Sequence, residues 1–119
     1  MTLPKVLLLV PRFAQDNLLR AVSAAGWSAR AYPHVDGFLR QYRPSPLQCL
    51  VLDLDLPDKQ AFTLLEKLSA SDPDLKVVVL GSSEVDGAVA AMRRGASQYI
   101  RKPFLDQDIV TILREIFKS

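Results

Sequence analysis

Soft metal ligands are almost absent from this chain of 119 residues, which holds one cysteine, Cys49, and one histidine, His34. A lone cysteine has no intrachain partner, so a disulfide framework is excluded, and no Cys or His spacing suits a structural metal site. Cys49 stands in an apolar stretch and reads as a core thiol, His34 as a loop residue and the single tryptophan, Trp27, as a packing anchor. None of the three supports catalysis, and an enzyme is not expected. No apolar run approaches the roughly 20 residues of a membrane-spanning helix, and no small-residue cleavage site follows the short one between Met1 and Val10. An excess of one charge is missing too. Fifteen basic against thirteen acidic residues leave +2, with neither a basic run nor aromatic interleaving, so direct nucleic-acid binding by this segment is not expected. These absences point to a reducing, cytoplasmic setting with no membrane contact.

What is present is a repeating alternation. Apolar runs of strand length alternate with segments of helical period, the pattern of βα units wound around a parallel sheet. The pattern predicts strands at Lys5–Val10, Ser28–Tyr32, Gln48–Asp53, Lys76–Leu80 and Gln98–Arg101. Helices are predicted at Ala14–Ala25, Val35–Tyr42, Ala61–Ala70, Val85–Arg94 and Asp106–Lys118. Gly26 and Gly95 stand where helix-terminating residues of positive φ belong, and Asp106 suits a cap for the last helix. No repeat, low-complexity stretch or linker interrupts residues 1–119, which read as one domain, either self-standing or part of a longer regulator. Right-handed crossovers and a doubly wound order give a five-stranded parallel α/β sheet of strand order 2-1-3-4-5.

The most informative stretch is Cys49–Pro57, CLVLDLDLP. A run of Leu and Val without alternation reads as a strand buried on both faces, with Asp53 emerging at its C-terminal edge, where open parallel sheets place their sites. The same edge collects Pro11, Arg12, Gly81, Ser82, Lys102 and Pro103. With Lys102-Pro103-Phe104 closing the last strand and Gly95-Ala96 closing the helix before it, the chain resembles the response-regulator receiver domains of two-component signalling, over nearly its whole length. The resemblance implies the flavodoxin-like (βα)5 fold. It also implies a phosphorelay role with Asp53 as phospho-acceptor, Lys102 binding a phosphoryl oxygen, Pro103 following it in a cis peptide, and Tyr99 as an aromatic that changes rotamer on activation. A histidine kinase, an output domain or another regulator would be the protein partner. An unrelated flavodoxin-like ligand-binding domain is the alternative, and the absence of a glycine-rich phosphate loop after the first strand speaks against it.

The sequence departs from that family where its metal chemistry sits. An acidic pair follows the family's first strand and holds magnesium; here Pro11-Arg12 stands there. Proline offers no ligand and arginine brings positive charge, so no cofactor is expected and magnesium would bind weakly if at all. The family's Ser or Thr after the fourth strand falls on Leu80 or Gly81, with Ser82 the nearest hydroxyl. Asp16, Asp53 and Asp55 are weak candidate ligands. Loop solvation is the expected role of Asp55 and Asp58, and Asp16 suits the start of a helix. The expected work is therefore protein–protein interaction, including a possible homodimer, through a face around the fourth and fifth helices made of Arg93, Arg94, Tyr99, Arg101, Asp108, Thr111 and Glu115. A conventional phosphorylatable switch at Asp53 is the competing expectation.

Overall fold

Residues 3–82 and 85–118 are described by the computed structural model, apart from the side chains of residues 85 and 86. Met1 and Thr2, which open the N-terminal run, lie outside them. Five strands and five helices alternate: β1 Lys5–Leu9, α1 Arg12–Ala24, β2 Ser28–Tyr32, α2 Val35–Gln41, β3 Gln48–Asp53, α3 Ala61–Ser71, β4 Lys76–Gly81, α4 Val85–Arg93, β5 Gln98–Arg101 and α5 Asp106–Lys118. All neighbouring strands are parallel, in the order β2-β1-β3-β4-β5. The predicted fold class and strand order are those observed.

The unalternating strands are explained by two apolar layers. Leu7, Leu9, Leu50, Leu52, Val77 and Val79 face one side of the sheet, where Phe38 of α2, Leu64, Leu65 and Leu68 of α3 and Ala91 of α4 cover them. Val6, Leu8, Cys49, Val51, Val78, Leu80 and Ile100 face the other, against Leu18 and Val22 of α1 and Ile109 and Leu113 of α5. Each fully buried Leu or Val contributes about 1.5–3 kcal/mol, so one central strand such as β3, buried at all six residues, is a large share of the core. Burial pushes the Cys49 thiol up to about 12, which keeps it a neutral core residue. Trp27 meets Phe117 edge to face at a centroid separation of 5.3 Å, the packing anchor expected of it.

Several boundaries differ from the prediction, and each has a local cause. Pro11, with φ −58°, fixes the turn into α1, and its carbonyl already accepts from Ala14 N at 2.9 Å. The helix therefore begins at Arg12 and not at Ala14, so Asp16 lies in its second turn, away from the helix start it was expected to occupy. At the head of α5 the capping contact comes from Asp108, whose carboxylate accepts from the backbone N–H of Leu105 at 2.9 Å; Asp106 opens the helix. β4 runs one residue further than predicted, to Gly81. Gly95, at φ +107°, does end the fourth helical segment, and a side chain there would also strike Ser69.

Candidate functional site

The register of the central strands brings the cleft residues level. Leu9 pairs with Leu52 across β1 and β3, Asp53 with Leu80 across β3 and β4, and Gly81 with Arg101 across β4 and β5. The chain turns away after each of these positions, so the segments leaving β1, β3, β4 and β5 converge on one edge.

At that edge Asp53 is buried, with 2% of its surface exposed. A carboxylate taken out of water needs a partner. It has two: the Lys102 ammonium lies 2.8 Å from both carboxylate oxygens, and the backbone N–H of Asp55 donates to Asp53 Oδ1 at 2.8 Å. The same ammonium reaches Asp55 Oδ2 at 3.0 Å, and the Ser82 hydroxyl donates to that oxygen at 2.7 Å. Lys102 is itself anchored by its own N–H on the Gly81 carbonyl at 2.9 Å. One lysine thus bridges two aspartates, and a serine completes the set. Burial alone would lower the Lys102 pKa, but its hydrogen bonds to Asp53 and Asp55 carry it above the ordinary lysine value. The Ser82 hydroxyl, followed by Lys102, holds Asp55 below the usual carboxylate range.

Asp55 corrects the sequence reading. The sequence leaves it to loop solvation, but β3 ends at Asp53 and the turn that follows brings the Asp55 carboxylate to the same ammonium as Asp53. The signal lies in Pro57, which cannot donate to the ladder of a central strand. Asp58 also has structural work beyond solvation: its carboxylate accepts from Val35 N at 3.2 Å and from Gln60 N at 3.3 Å. Ser82, expected at the cleft as its nearest hydroxyl, lies there and is tied in through Asp55.

The other proposed cleft residues divide. Pro11 is buried, whereas Arg12 is exposed and makes no ion pair within the described residues. Asp16 lies outside the cavity beside Asp53. That cavity, about 280 Å³, is walled by Phe13, Ala14, Leu18, Leu80, Pro103 and Phe104 around the Asp53–Lys102 pair. Phe13 of that wall is 86% exposed, an apolar rim the sequence reading missed although Phe13 and Phe104 flank the two motifs it singled out. The Lys102-Pro103 peptide is cis, as the resemblance implied.

A family profile described as response regulator receiver domain matches residues 12–114. The chain belongs to that family. Among curated proteins the receiver is similar to the transcriptional regulatory protein CssR of Bacillus subtilis (strain 168), 27% identical over 109 residues that cover 87% of this chain and 48% of CssR. It therefore spans about half the length of that relative. Among solved structures it superposes on the CheY-like receiver domain protein of Methanospirillum hungatei JF-1 with a TM-score of 0.88 at 20% identity, covering 98% of this chain and 95% of that one. A further likeness is the beryllofluoride-activated NtrC4 receiver domain dimer, with a TM-score of 0.87 at 20% identity and 97% coverage of both chains. These structural likenesses establish the fold.

The receiver's expected interaction face is only partly assembled in one place. Arg93, Arg101, Asp108, Thr111 and Glu115 are exposed. Thr111 and Glu115 line a shallow groove of about 320 Å³ between α5 and the open edge of β5, together with Lys76, Ser97 and Gln98. Arg94 turns the other way, a correction: its guanidinium pairs with Glu66 of α3 at 2.8 Å and lies 4.6 Å from the centre of the Phe62 ring. Tyr99 is half-buried and packs against the layer under α2, α3 and α4. No described helix is long and apolar enough to cross a membrane.

Proposed function

We propose that this receiver, a single domain over residues 1–119 working in the cytoplasm, signals through protein–protein contact while metal-dependent phosphoryl transfer at Asp53 is compromised. The observation that carries this reading is the Lys102 bridge across Asp53 and Asp55, beside Pro11-Arg12 in place of two acids. Magnesium demands near-octahedral oxygen donors, and phosphoryl transfer depends on that ion to neutralise the transferring group. The donors present do not fit: both cleft carboxylates are already shared by an ammonium, and residues 11 and 12 supply none. Among the described residues no group of three or more His, Cys, Asp or Glu side chains is placed to hold a metal ion.

The partner is a protein: a histidine kinase, an output domain, another regulator or a second copy of the chain. The exposed charges Arg93, Arg101, Asp108 and Glu115 give its face both signs, which sets orientation and partner choice more than affinity. The competing reading, a conventional switch at Asp53, is supported by the intact Asp53–Lys102 pairing. One comparison separates them. Arg93→Glu and Glu115→Lys are expected to weaken self-association in sedimentation, or partner capture in a pull-down, by about tenfold. Asp53→Asn is expected to leave the same binding within a few-fold. Loss of binding in Asp53→Asn, with the fold intact by circular dichroism, would favour the switch.

A further inference from the structure

Gly81 ends β4 beside the cleft, and its backbone gives no reason for glycine, since the positive-φ glycines are Gly26 and Gly95. The reason is spatial. A Cβ added to Gly81 would collide with Tyr99 Oη and stand 3.0 Å from Tyr99 Cε1 and Cζ, and these are the three nearest atoms. Tyr99 pairs with Val79 across β4 and β5, two residues before Gly81. Its ring therefore leans along the sheet and ends over Gly81, occupying the volume any side chain there would need. The phenol also senses the cleft: burial first, and then the charge of Asp55, raise its pKa.

The fit works in both directions. Any side chain at residue 81 would force the ring out, and a ring that swung out by itself would leave an unfilled space over Gly81 and lose its packing on the layer below α4. We propose that Gly81 and Tyr99 form a steric interlock that fixes the phenol over the end of β4, so that the ring's place on the β5 face is set by a missing side chain and not by what occupies the cleft. Gly81 is in this sense a positioning residue for Tyr99, and the interlock supplies a mechanism for the uncoupling proposed above, on which its functional meaning rests.

The test observes the ring itself. The chain is labelled with 3-fluorotyrosine and the Tyr99 fluorine signal is assigned by its loss in Tyr99→Phe. In the wild type, in Asp53→Asn, and with beryllofluoride and magnesium added, the signal is expected to hold one position and one solvent exposure. In Gly81→Ala it is expected to move and to become more exposed. An unmoved signal in Gly81→Ala, or a shift between two positions on adding beryllofluoride, would overturn the interlock.

Stability gives a second readout if Gly81→Ala folds poorly. The substitution is expected to lower the folding equilibrium constant roughly 5- to 150-fold in the wild type, but less than about 3-fold in a Tyr99→Ala background, where the obstructing ring is gone. An equal loss in both backgrounds would contradict the proposal. Phosphoryl labelling of Asp53 with an unmoved Tyr99 would refute the compromised-pocket reading and leave the interlock standing. An unlabelled Asp53 with a Tyr99 indifferent to Gly81→Ala would do the reverse.

Discussion

Millimolar magnesium is expected not to saturate this receiver, and replacing Pro11 and Arg12 together by aspartate is expected to tighten its binding by at least about tenfold. A carboxylate about 4 Å from a divalent ion, at an effective dielectric near 20, gains roughly 8 kcal/mol before desolvation is subtracted. Desolvation cancels most of that gain, but a net gain of about 1.4 kcal/mol from two new ligands and one deleted cation is enough for the tenfold change. Amide NMR shifts around Asp53 during a magnesium titration measure it. Absence of any gain would place the defect in the backbone. Residue 12 is already the first helical residue of α1, so a carboxylate there starts from a fixed direction.

Lys102→Ala is expected to destabilise the fold by about 2–4 kcal/mol, towards the low end of what breaking a buried pair costs because the lysine side chain keeps 25% of its surface in solvent. The loss arises chiefly from Asp53, left almost fully buried with only the Asp55 N–H as partner. The pH dependence has two limbs of opposite sign. Lys102 has a raised folded pKa, so its contribution is whole below the unfolded value near 10.4 and fades as pH rises through the folded one. Asp55 has a depressed folded pKa, so its contribution is whole above the unfolded value near 3.9 and fades as pH falls through the folded one. Urea unfolding of wild type and variant should therefore differ most between these limits and converge outside them. A difference below about 0.5 kcal/mol at neutral pH, the range of an inert surface change, would mean that the bridge does not stabilise the fold.

The fold is legible in the sequence because its periodicity is clean. Buried parallel strands such as Val77–Leu80 cannot alternate, and three such runs, with the shorter edge segments Ser28–Tyr32 and Gln98–Arg101, read as five strands separated by helical periods. Topology then sets the strand register, which is why Asp53, Lys102 and Ser82 can be gathered at one edge from the sequence alone. The hidden features depend on directions the pattern does not carry. Asp55 lies in the turn after β3, where its direction is set by hydrogen bonds to Asp53 and Lys102 that no period carries. Arg94 comes just after the last residue of α4, and its side chain finds Glu66 and Phe62 on a helix remote in sequence. The Gly81–Tyr99 contact joins two strands through a ring lying along the sheet, and neither residue type announces it. The Tyr42 hydroxyl to Asp72 hydrogen bond is similarly non-local.

The most direct test of a compromised cleft is intact-mass analysis of the chain after incubation with acetyl phosphate and magnesium. The Lys102 bridge and the missing acids predict little phosphoryl adduct, with Asp53→Asn carrying the same small fraction as the wild type. Stoichiometric labelling that disappears in Asp53→Asn would contradict this, and would show that two shared carboxylates and one lysine suffice for the transfer.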